Sequence, residues 1–147
     1  LGRRPARDAL RAGEGSTLIA FVDTDVLIRH LTGDPPAMAE RATAVLASSE
    51  RLLLADLVVA ECVYVLESFY EVARRDVASL LRAAIALPSI ETLDPELLLR
   101  ALAVYELDRL DFAEAYLVAQ AETSGVGAVV SFDRSIDRVG TVRRYEP

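Results

Sequence analysis

From Leu18 onward, short apolar runs alternate with longer segments that carry helix punctuation, and this alternation constrains the fold more than any other feature. Leu18-Ile19-Ala20-Phe21-Val22 is a β-prone run ending at Asp23, and it reads as a buried parallel strand. Asp25 to Thr32 reads as a short helix stopped by Gly33-Asp34-Pro35. Pro36 to Ser49 is a second helix with proline at its first position, and Arg51 to Ala55 a strand. Leu57 to Val72 and Asp76 to Leu87 read as a helical pair ended by Pro88. A strand at Ile90 to Leu93 and a helix at Pro95 to Leu107 follow. Asp111 to Ser124 is a further helix closed by Gly125, and strands at Ala128 to Ser131 and Arg143 to Tyr145 complete the chain. Strands separated by helices predict an α/β domain with a parallel sheet.

The chain has 147 residues, the size of one domain, and 52% hydrophobic against 27% charged residues excludes a disordered polymer. No apolar run approaches the roughly 18 residues of a membrane span. Residues 1–17 lack a signal peptide's apolar region and read as a flexible leader or upstream extension, leaving 18–147 as the domain. A cytoplasmic setting is expected. Cys62 alone excludes an internal disulfide and a cysteine zinc site, and His30 alone excludes histidine-pair metal sites and two-histidine RNA cleavage. The net charge is −7, and all 16 cationic side chains are arginine, with no lysine anywhere. So acidic a chain is a poor general binder of nucleic acid, but it acts on phosphates if its acids hold a divalent cation.

The acids fall at telling places. Ligands of open parallel sheets bind beyond the carboxyl ends of the strands. Asp23 and Asp133 both follow apolar strands; helix capping or a turn is the alternative for each. Glu61 lies in Leu57-Val58-Val59-Ala60-Glu61-Cys62-Val63-Tyr64-Val65-Leu66, where apolar residues on every face predict burial, and a buried carboxylate needs a partner or a metal. Cys62 beside it reads as a small core residue. Asp111 and Glu114 have the spacing of a capping box, and the same spacing aims two carboxylates at one point. Carboxylates about 4 Å apart repel by roughly 4 kcal/mol at an effective dielectric near 20. If Asp23, Glu61, Glu114 and Asp133 converge, Mg2+ or Mn2+ relieves that repulsion, activates a water and neutralises a leaving oxygen.

In order along the chain, Phe21-Val22-Asp23-Thr24-Asp25-Val26-Leu27-Ile28-Arg29, Glu61 in its apolar helix, Asp111-Phe112-Ala113-Glu114-Ala115 and Ser131-Phe132-Asp133-Arg134 resemble the PIN-domain ribonucleases. More narrowly they resemble the VapC-type toxins of toxin–antitoxin pairs. The resemblance covers Leu18 to Pro147. It implies a three-layer α/β/α domain, with a central, mostly parallel sheet of four or five strands, that cuts RNA with Mg2+ or Mn2+. By motif, Asp23, Glu61, Glu114 and Asp133 take the catalytic acid positions, Asp111 is an accessory metal acid, and Thr24, Asp25 and Ser131 support the site. A cognate VapB-type antitoxin, a toxin homodimer and a higher toxin–antitoxin complex are implied as partners. Asp25 departs from the family's usual Asn and adds charge; Glu114 departs from the usual Asp and lengthens a ligand by one methylene.

Phe21-Val22-Asp23-Thr24-Asp25 also resembles the start of haloacid-dehalogenase-type phosphatases, with Asp23 as nucleophile, Asp25 as general acid, and Asp133 with Asp137 as metal acids. That family supplies a lysine, which this chain lacks, and Glu61 and the Asp111–Glu114 pair would go unexplained. A metal-free binding module is the third reading. Arg29, His30 and Arg134 are candidate RNA contacts; Arg138, Arg143 and Arg144 serve equally as exposed charges, and Arg74 and Arg75 read as surface. With 6% aromatic residues and no tryptophan, base stacking is not a strong theme. Faces near Leu46, Val72 and Leu80 are the expected dimer surface.

Overall fold

The computed structural model describes residues 18–147; the leader expected at 1–17 lies outside the described residues. Five strands and six α-helices follow one another as β1 (Ile19–Phe21), α1 (Thr24–Thr32), α2 (Pro36–Leu46), β2 (Arg51–Leu54), α3 (Asp56–Ser68), α4 (Arg74–Ile85), β3 (Ile90–Thr92), α5 (Pro95–Ala103), α6 (Phe112–Thr123), β4 (Ala128–Val130) and β5 (Arg143–Tyr145). A π-helical turn at Val104–Asp108 and a 3-10 turn at Arg134–Arg138 join them. This is the expected α/β architecture, with every strand pair parallel. The strands form two ladders, β1-β2-β3 and β4-β5, in place of one continuous sheet. Register runs Ile19 with Arg51 and Leu52 with Ile90 in the first, and Ala128 with Arg143 in the second.

Local chemistry sets the boundaries. Gly33 ends α1 in the left-handed conformation at φ 70°, where its amide bonds back to Arg29. Asp94 caps α5, its Oδ1 accepting the Leu97 amide at 3.1 Å. Gly125, at φ 77°, follows α6 as expected. Several helices are shorter than the periodicity suggests. α2 stops at Leu46 instead of Ser49, α3 at Ser68 instead of Val72, and α5 yields at Ala103 to the π-helical turn instead of running to Leu107. Glu71 explains the second case: at φ 53° it leaves the helical region before Val72.

The core gathers Leu27, Leu66, Leu81, Leu98, Leu102 and Tyr105, all fully buried between helices and sheet. Two expectations reverse here. β1 is not buried: it is an edge strand, and its alternate side chains Ile19 and Phe21, which share one face, are exposed to solvent. Arg74 is not a surface charge, although its neighbour Arg75 is exposed. The Arg74 Nη1 donates to the carbonyls of Tyr105 at 2.8 Å and Leu110 at 2.6 Å, and the guanidinium stacks 4.4 Å from the centre of the Tyr105 ring. It thereby clamps the segment in which Arg109 adopts φ 58°. The Tyr105 hydroxyl donates to Glu67 on the other side.

Candidate active site

The first acids sit where β1 gives way to α1. Asp23 is extended, and its Oδ1 accepts the Thr24 amide at 2.8 Å, so it caps α1. Capping and site chemistry were the competing expectations for Asp23; one oxygen serves the cap and the carboxylate still faces outward. Thr24 is only 9% exposed, and its hydroxyl donates to Glu61 Oε2 at 2.5 Å. That bond ties α3 to the start of α1. Glu61 itself is exposed, against the expectation of burial. α3 buries Val59, Cys62, Val63 and Leu66, whereas Leu57, Glu61 and Tyr64 form its solvent face, so the apolar pattern overstated how much of this helix is covered.

Asp23, Asp25 and Glu61 line one cavity of ≈ 420 Å³ together with Thr24, Arg29 and Phe69. Arg29, one turn beyond Asp25, is the cation of this wall. Its Nε is buried without a hydrogen-bond partner, and its Nη1 reaches the Asp34 carbonyl at 3.3 Å. Burial pushes the Cys62 thiol up to about 12, helped by the negative charges of Glu61 and Asp23. Cys62 is therefore a protonated, fully buried core residue, as its setting in the sequence suggested.

The other acids stand apart from this cavity. Asp111 precedes α6 and is exposed, but its side chain accepts no capping bond, so the capping box with the half-buried Glu114 does not form. Asp133 caps the 3-10 turn by accepting the Ser135 amide at 2.9 Å, and Ser131 Oγ accepts the Asp133 amide at 2.9 Å. Hydrogen bonding from Ser135, with the charges of Arg138 and Arg144 behind it, holds the Asp133 carboxyl below its usual range. Asp137, the second metal acid of the phosphatase reading, is engaged by Arg144 through two 3.0 Å bonds. Arg144 also donates to the Ser131 carbonyl, and Arg138 to the carbonyls of Asp108 and Arg109, so both have structural duties. Arg134 is exposed, while His30 contacts Thr43 Oγ1 through Nδ1 at 2.8 Å and does not line the cavity.

Among the described residues, no three His, Cys, Asp or Glu side chains stand close enough to form a metal cage. Mg2+ is commonly held by one or two carboxylates, completing its shell with water and substrate phosphate. Asp23 and Glu61, linked through Thr24, are two carboxylates that could hold such an ion. Composition concealed one feature of the site: of four phenylalanines only Phe112 is buried, and Phe69 is 76% exposed beside the acids. Its place just past the α3 C-terminus, outside the apolar periodicity of that helix, is the signal that could have revealed it.

The PIN domain model matches residues 20–142. A crystal structure of VapBC2 from Rickettsia felis, bound to a DNA fragment from its promoter, is similar over 88% of this chain and 98% of that chain, at 12% identity and a TM-score of 0.36. No curated protein matches the sequence significantly. With the family model spanning nearly all of the described α/β domain, from β1 to the residue before β5, this chain belongs to the PIN domain family.

Proposed function

We propose that the protein is a Mg2+- or Mn2+-dependent endoribonuclease and the toxin of a VapBC-type toxin–antitoxin pair. The observation that carries this reading is the Asp23–Thr24–Glu61 linkage at the carboxyl end of a parallel strand, with Arg29 on the same cavity wall. Membership of a family whose members are generally nucleases supports it. Asp23 and Glu61 would hold the divalent ion, which supplies positive charge against the leaving oxygen and lowers the pKa of water. Thr24 fixes the rotamer of Glu61 by its hydroxyl bond, and the Asp23 cap on α1 fixes the other carboxylate. Arg29, which makes no ion pair among the described residues, is the cation of the cavity wall that would meet a phosphate oxygen. Glu114, Asp111 and Asp133, supported by Ser131, are further acids that the resemblance assigns to the same centre from the α6 and β4 side.

The partner in this reading is a VapB-type antitoxin that restrains the nuclease, with a toxin homodimer inside the larger complex. An antitoxin arginine suits the cavity, since a guanidinium bonds carboxylates in pairs and keeps its proton. Of the residues expected to mark a dimer surface, Leu46 is buried, and Val72 and Leu80 pack partly buried against the core, so they offer a partner little area. Leu57 and Tyr64, exposed on α3, are the better candidates. Among the described residues no helix is long and apolar enough to cross a membrane; the cytoplasm is the proposed location. Purified, antitoxin-free protein incubated with structured RNA in Mg2+ and then in EDTA tests the reading. Cleavage in Mg2+ that stops on chelation is expected, and cleavage that survives chelation overturns the metal mechanism.

A further inference from the structure

We propose that Phe69 is the stacking platform for an unpaired nucleobase of the RNA, with a phosphate of the same strand against Arg29. The inference rests on the nuclease reading for the identity of its ligand and on separate geometry for its place. Phe69 is 76% exposed, yet its ring is backed edge-on by Tyr70 at 5.0 Å and 70°. Tyr70 is in turn anchored, its hydroxyl donating to Asp34 Oδ2 at 2.9 Å. One ring is thus braced by another while most of its surface stays open to solvent. The ring lines the cavity that Asp23, Glu61 and Arg29 also line.

The charges explain why the neighbouring cation belongs to the same strand. A carboxylate cavity repels phosphate unless a cation meets it, and Arg29 makes no ion pair among the described residues despite three acids in the same wall. Arg29 and Asp25 also line an adjoining cavity of ≈ 360 Å³ with Met38 and Arg41 of α2, so a second arginine follows Arg29 between α1 and α2. An extended strand with its base on Phe69 has its backbone beside Arg29 and leaves past Arg41. Every base has a π-face, so this contact selects strandedness over sequence. A paired base keeps both faces covered by its neighbours and cannot use the platform.

The chain contains no tryptophan, so Phe69→Trp creates a single fluorescent reporter at the platform. It is placed in the Asp23→Asn background, which keeps the strand intact, and titrated in Mg2+ with a short oligouridylate and with the same strand annealed to oligoadenylate. Saturable quenching by the single strand and little by the duplex is expected. Val126→Trp, in the same background and in the turn before β4, outside the Phe69 cavity, should show no quenching; this position is 71% exposed. Phe69→Ala should raise Kd about tenfold, with Phe69→Tyr within about twofold of the parent. An unquenched reporter at saturation, equal quenching by duplex, or an unchanged Kd in Phe69→Ala overturns the proposal. Failure of the nuclease reading looks different: quenching persists while the protein without substitutions cleaves nothing in Mg2+.

Discussion

Arg74→Met removes a guanidinium while keeping most of its apolar stem, and the structure makes this an expensive change. One Nη1 donates to two carbonyls, those of Tyr105 and Leu110, and the cation lies 4.4 Å from the Tyr105 ring centre. Hydrogen bonds from a charged donor contribute about 1.5–3 kcal/mol each, but two sharing one nitrogen are less than additive, so about 2 kcal/mol is a fair value for the pair. The cation–π contact adds about 0.5–1 kcal/mol. Releasing the clamp also removes what holds Arg109 at φ 58°, a conformation of the kind that costs about 1–3 kcal/mol. A loss near 3 kcal/mol follows, which for a domain of this size lowers Tm by about 10 °C. Urea unfolding should show a lower midpoint at unchanged slope, because the surface exposed on unfolding is the same. A loss under about 0.5 kcal/mol, the usual range for a surface substitution, refutes the clamp.

Three further outcomes follow from the site and its scaffold. Asp23→Asn should abolish RNA cleavage and leave the metal-free Tm unchanged or higher, since Asn caps a helix as well as Asp does and one charge leaves the acid wall; activity assays and calorimetry check the two halves. Glu122, bonded twice by Arg100 and once by Thr141, has its carboxyl lowered from its ordinary 4.5. A depressed folded value means stabilisation that is present above 4.5 and lost as pH falls through the folded value, so denaturation in acid should be less steep for Glu122→Gln. Gly33→Ala places a side chain at φ 70° and should lower stability by about 1 kcal/mol, read by urea titration.

Much of this architecture was legible in the chain itself. Gly33, Pro36 and Gly125 mark boundaries because their backbone chemistry is local, and helix limits written into such residues agree with the structure within a few positions. The exposure of β1 was not legible. An apolar run does not say whether both faces of a strand are covered, and here Ile19 and Phe21 share an open one. Glu61 shows the same limit from another side. Apolar neighbours on every face suggested burial, but Leu57 and Tyr64 of the same helix are themselves exposed, so hydrophobicity overstated coverage. Arg74 and Phe69 were missed because their roles depend on partners distant in sequence or on a position beyond a helix end. The order of the acids carried the family, while their division between the Asp23 cavity and the α6 and β4 side required the fold.

The ion is best located by Mn2+ binding, followed by electron paramagnetic resonance on the full chain without RNA. Asp23→Asn and Glu61→Gln should each sharply weaken binding, and Thr24→Val should weaken it less by releasing Glu61 from its 2.5 Å bond. Mn2+ affinity that is unchanged by both Asp23→Asn and Glu61→Gln contradicts the assignment of the divalent centre to this cavity.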